Sequence, residues 1–141
     1  MKKYKDYIFD VGANDGTDGL AIALNNKEFF VHAFEANPYL VKKINLLKKK
    51  LEKRKGVIIK NYKIHSAAVS NINKKATFNI STNHRVSSLN KLSNKLDKTW
   101  PGYRESIFKV KKKIRVNVIN LNDFMAKNKI KEIRYLHVDT Q

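Results

Sequence analysis

The chain has 141 residues, enough for one domain with one core, and its 42% hydrophobic and 30% charged residues exclude the composition of a disordered chain. Its net charge of +18 comes from 30 Lys and Arg against 12 Asp and Glu, almost all lysine, accompanied by 16 asparagines and only five arginines. That reads as a solvated basic surface with weak attraction for polyanions or anionic lipid, and as poor support for specific nucleic-acid recognition, which needs arginine forks or stacking platforms.

The absence of cysteine removes disulfide and thiolate chemistry. No apolar run approaches the roughly 18 residues of a membrane span. Asp6 and Asp10 interrupt what would have to be the apolar region of a signal peptide, so the expected location is cytoplasmic, with no transmembrane segment.

In chain order, YIFDV at 7–11 predicts a short strand that stops at glycines. A short helix follows over about 17–27, with Leu20, Ala21 and Leu24 on one face and Thr17 or Asp15 at its entrance. VHAF at 31–34 predicts a second strand, ended by Glu35 and the turn at Asn37-Pro38. Pro38 then opens a helix whose stripe is Leu40, Ile44, Leu47 and Leu51, ending before Gly56. The run from Val57 to Val69 predicts one or two strands. ATFNIS at 76–81 predicts a strand in a hairpin or at an edge, and the polar stretch 82–110, with Trp100, Tyr103 and Arg104, a loop or lid. KKIRVNVINL at 112–121 alternates as a half-exposed strand; Asn120 or Asn122 caps a short helix with Phe124 and Met125; IRYLHVD at 133–139 is the last strand. Strand, helix, strand, helix, strand is the order of a parallel α/β unit.

The turn DVGANDG and Glu35, 25 positions after Asp10, carry the chemistry. Unpaired backbone N–H groups after the first strand invite a ligand, but Asp10 and Asp15 oppose a pyrophosphate and there is no GK[ST]. The turn therefore suits a neutral or positive ligand end, with Asp10 as acceptor and the backbone of Gly12 to Asn14 following the ligand. An acid at the tip of the second strand, as Glu35 is, accepts ribose hydroxyls and disfavours a ribose phosphate. Asp139, at the tip of the last strand, faces the same cleft if that strand lies beside the first. There it would orient the ligand amine, bind a metal or act on a substrate hydroxyl. His137, further down the strand, and His65 are expected to be packed. His32, His65, His84 and His137 lack zinc-ligand spacing, and no serine sits in a G-x-S-x-G elbow.

DVGANDG, FEANP, SAAVSN, SSL, INLNDF and YLHVDTQ together resemble, in order, the motifs of the FkbM-type family of S-adenosylmethionine-dependent methyltransferases. The resemblance implies a Rossmann-like α/β fold with a mostly parallel sheet. By that likeness Asp10, Gly12, Ala13, Asn14 and Gly16 form the methionine-side cofactor loop, Glu35 is the ribose acid, Ala68 and Val69 belong to the adenine wall, and Asp139 is the acid of the fourth core strand. It also implies S-adenosylmethionine as cofactor and O-methylation of a hydroxyl on a sugar, glycan or other small molecule.

Because the family continues beyond this strand, residues 1–141 are expected to be a partial methyltransferase domain, truncated after the fourth core strand. A partner or second copy covering the open sheet edge is the alternative. The competing functional readings are an inactive interaction module, a basic nucleic-acid-binding protein and an NAD-linked dehydrogenase.

Overall fold

The structure, a computed structural model, describes residues 4–83, 87–90 and 109–140. Trp100, Tyr103, Arg104 and His84 lie outside the described residues. Four parallel strands form the main sheet in the order β3-β2-β1-β7, from β1 (Asp6–Val11), β2 (Phe29–Glu35), β3 (Tyr62–Ser66) and β7 (Tyr135–Val138). Successive strands step away from β1 in one direction, and β7 returns to its other side. That reversal of strand order opens a crevice beyond the carboxyl ends of β1 and β7.

Alternation along the strands sorts side chains onto two faces. Ile8 is in register with Val31 and Asp10 with Ala33, so Ile8, Asp10, Val31, Ala33 and Glu35 share one face. The apolar members pack under α1 (Thr17–Asn25) and α2 (Pro38–Lys55), against Leu20, Ala23 and Ile44. Phe9, Val11 and Phe34 face the other way and pack with Phe124 and Met125 of α3 (Leu121–Lys127) and with Ile130.

The helix boundaries follow local chemistry. Asn37 caps α2 by accepting the Tyr39 N–H at 3.1 Å, Pro38 occupies the first turn, and Gly56 ends it at φ 64. Asn120, rather than Asn122, caps α3, accepting the N–H groups of Asn122 and Asp123. α1 ends at Asn25, two residues earlier than the sequence predicts.

Val57–Ile59 are not in a strand, despite their β-branched character. The N–H of Ile59 is held at 2.9 Å by the Glu52 carboxylate and that of Val57 by the Glu52 carbonyl, so these residues extend the turn that terminates α2.

A second, three-stranded sheet has the order β4-β6-β5, from β4 (Ala68–Val69), β5 (Lys74–Ser81) and β6 (Val110–Ile119). β5 pairs antiparallel with β6 and lies at the edge, while β4 pairs parallel with it. Phe78, Ile80 and Val116 from this sheet close over Ala36, beside the tip of β2. Among the described residues no helix is long and apolar enough to cross a membrane.

Candidate functional site

The tips of β1, β2, β4 and β7 and the start of α1 surround a cleft of about 650 Å³. Gly12, Asn14, Glu35, Ala68, Val69 and Asp139 line it, which brings together six of the nine residues singled out from the sequence. Asp10, Ala13 and Gly16 do not line it. Asp10 is only 5% exposed and its carboxylate lies beneath α1, where a Cβ on Gly19 would fall 2.9 Å from Oδ2. Ala13 is buried in the core under α1, and Gly16 lies against Ile44.

The turn is tighter than the sequence suggested. The N–H groups of Gly12 and Ala13 both donate to the Phe34 carbonyl, at 2.9 and 3.1 Å, and the Asn14 N–H donates to Glu35 Oε2 at 2.9 Å. Three amides expected to be open to a ligand are thus spent on the tip of β2. Their work is to lock β1 to β2. Gly12 has φ 82, and a Cβ there would meet the Asp139 carbonyl oxygen at 2.1 Å. Only glycine lets the β1 turn pass so close to the end of β7.

Glu35 is an acid of the cleft held at both carboxylate oxygens. It is 7% exposed, its Oε1 accepts the Asn37 N–H at 2.8 Å, and the Ala36 N–H also contributes. Burial pushes its carboxyl above the ordinary range; the N–H bonds from Asn37, Asn14 and Ala36 pull the other way, and the charge of Asp10 adds to the rise. Asp10 and Glu35 therefore lie on one face of the sheet and feel each other.

Two further acids, Asp15 and Asp18, line the cleft, and Asp15 Oδ1 also accepts the Thr17 N–H at 3.0 Å where α1 starts. Asp18 was missed in the sequence, although an acid in a first helical turn beside a glycine turn is a visible signal. The cleft thus holds Asp15, Asp18, Glu35 and Asp139, and no described lining residue is Lys or Arg. In a chain of +18 the sign of this site is inverted.

His137 is not packed, as expected from the sequence, but 42% exposed in its side chain, with Nδ1 3.0 Å from Asp10 Oδ1. β7 is the edge strand, so nothing described covers the ring from beyond it. The bond to Asp10 raises the His137 pKa, with the charges of Asp10, Asp139 and Asp18 acting in the same direction. His65 is half-buried and hydrogen-bonded to His32, at 3.0 Å, on the opposite face of the sheet.

The sequence model of the methyltransferase FkbM domain matches residues 10–141, from the acid of the glycine turn to the end of the chain. No curated protein and no solved structure matches.

Proposed function

This chain belongs to the methyltransferase FkbM domain family, and on that premise we propose that it methylates a hydroxyl on a sugar or other small molecule, using S-adenosylmethionine. The observation that carries the reading is the acid-lined cleft without lysine or arginine among its described walls. Such a site repels a pyrophosphate and attracts a ligand that carries a sulfonium and an ammonium. A nicotinamide dinucleotide suits it poorly for the same reason.

The donor set fits the cofactor. Glu35 lies in the cleft wall with its oxygens fixed by backbone N–H groups, ready to accept from a ribose hydroxyl. Ala68 and Val69 offer an apolar wall to the adenine. Asp15 and Asp18 supply the negative field for the methionine end, and Asp10 reinforces it from below the turn. When bound, S-adenosylmethionine supplies an electrophilic methyl group.

What the chain itself contributes is alignment and removal of a proton. Asp139 is an exposed carboxylate at the cleft, where it would accept the proton of an acceptor hydroxyl. The glycine turn and β7 hold it there through the Asp139 N–H to Val11 carbonyl bond, at 2.9 Å.

The test is transfer of a labelled methyl group to a panel of sugars, small alcohols and small amines, comparing the chain with Asp139→Asn. The expected result is transfer to oxygen, slowed about 100-fold or more in the variant with its affinity for S-adenosylhomocysteine retained. An unchanged rate would remove Asp139 from the reaction, and labelling only on nitrogen would overturn O-methylation.

A further inference from the structure

The +18 charge is not explained by an acidic cleft, and much of it is concentrated on α2. Eight of the 18 residues of this helix are Lys or Arg, against one acid, Glu52. Among the described residues its only salt bridge is Lys48 to Glu52, at 3.9 Å. The cations at its end, Lys53, Arg54 and Lys55, are all exposed.

Beside these cations runs an apolar groove of about 500 Å³ between α1 and α2. Leu47, Leu51 and Val57 line it together with Lys27, Arg54 and Lys55. Ile58, the residue after the groove-lining Val57, is 71% exposed, next to the fully buried Ile59. The support beneath it is rigid: the Glu52 carbonyl accepts the N–H groups of Gly56 and Val57, and the Glu52 carboxylate accepts that of Ile59. Ile58 is therefore displayed on a fixed turn, not on a loose loop. Leu46, 58% exposed, adds a second apolar side chain among the lysines of the same helix.

We propose that this face, the α1–α2 groove with Ile58 and the cations at the end of α2, docks the protein on an anionic phospholipid bilayer. Lipid headgroups complement the lysines, and the layer just beneath them accepts Ile58 and the lysine stems. A nucleic acid matches only half of this surface. It offers phosphates but no apolar layer, and the cations are lysines with a single arginine, without the aromatic platforms that stack on bases. The inference stands apart from the cofactor cleft and does not depend on which reaction occurs there.

Cosedimentation of the full chain with vesicles of phosphatidylcholine containing about 30% phosphatidylserine tests it, against vesicles of phosphatidylcholine alone. The expected result is binding to the anionic vesicles only, weakened by salt. Ile58→Asn should reduce it roughly tenfold and the triple variant Lys53→Gln, Arg54→Gln, Lys55→Gln about 100-fold. All four side chains are exposed, so thermal melting of the variants should match that of the parent chain. Absence of binding, equal binding to neutral vesicles, or full binding by the Ile58→Asn chain would overturn the proposal. So would tighter binding of random duplex DNA that Ile58→Asn leaves unchanged, which would make the face a polyanion surface.

Discussion

His137 and Asp10 form a hydrogen bond across the seam of β7 and β1, with Nδ1 3.0 Å from Oδ1 on residues in direct register. The carboxylate is buried and the imidazole half open to solvent. Asp10 holds the His137 pKa above its usual value, and folding therefore favours the protonated ring. The contribution is fully present below the unfolded-state pKa near 6.5 and is lost as pH rises through the folded value. Exposure of the ring keeps it small. In an NMR titration, Asp10→Asn should bring the His137 pKa back toward the ordinary range; an unchanged pKa would assign the shift to other groups.

The second histidine pair titrates with the opposite sign. Burial, then the charges of His65 and Lys63, lowers His32 to about 3, and burial followed by Lys63 lowers His65 to about 4. Both rings sit neutral against Phe124, whereas the unfolded chain takes up protons below about 6.5. Stability should be full above that pH and fall as pH drops toward the folded values, by at most about 1.4 kcal/mol per pH unit for each proton linked. Urea denaturation from pH 7.5 to 4.5 should show this slope, and His32→Gln should roughly halve it.

Asn61 is a buried joint. Its Nδ2 donates to the carbonyls of Ala23, Asn26 and Phe29, at 2.8, 3.0 and 2.9 Å, binding the end of α1 to the start of β2. Asn61→Ala would remove the side-chain donor that those carbonyls share and should cost about 2–3 kcal/mol, read from the urea midpoint at unchanged slope. A loss below about 0.5 kcal/mol would show that the carbonyls find other donors.

Two glycines with positive φ should respond differently. Gly12→Ala places a methyl 2.1 Å from the Asp139 carbonyl oxygen and must displace the β1 turn from β7, so both stability and ligand affinity should collapse. At Gly56, φ 64, a Cβ meets nothing within 4 Å. Gly56→Ala should cost only the left-handed backbone penalty of about 1–2 kcal/mol and leave ligand affinity intact. Calorimetry on both variants checks the contrast.

What the sequence made legible was local. The glycine turn after Val11, the Asn37-Pro38 entrance, the Leu40, Ile44, Leu47, Leu51 stripe and the stop at Gly56 are each encoded within a few neighbouring residues, and the helices and parallel strands follow. Glu35 and Asp139 were readable as strand-tip acids for the same reason. What stayed hidden depends on partners far along the chain: His137 lies 127 positions from Asp10, and Asn61 bonds 32 to 38 positions back. In the second sheet β5 and β6 were legible as strands, while β4, two residues long, is too short to leave a pattern. Val57–Ile59 misled because propensity pointed to a strand, while one side chain, Glu52, kept them in a turn.

The cleft is the centre of the account: an acid-lined hollow in a basic chain, with Glu35 fixed in its wall. Isothermal titration with S-adenosylhomocysteine, repeated with Glu35→Ala and with NAD, tests it most directly. Micromolar binding of S-adenosylhomocysteine, lost in the variant and absent for NAD, is the expected result. NAD binding in its place, or S-adenosylhomocysteine affinity untouched by Glu35→Ala, would contradict it.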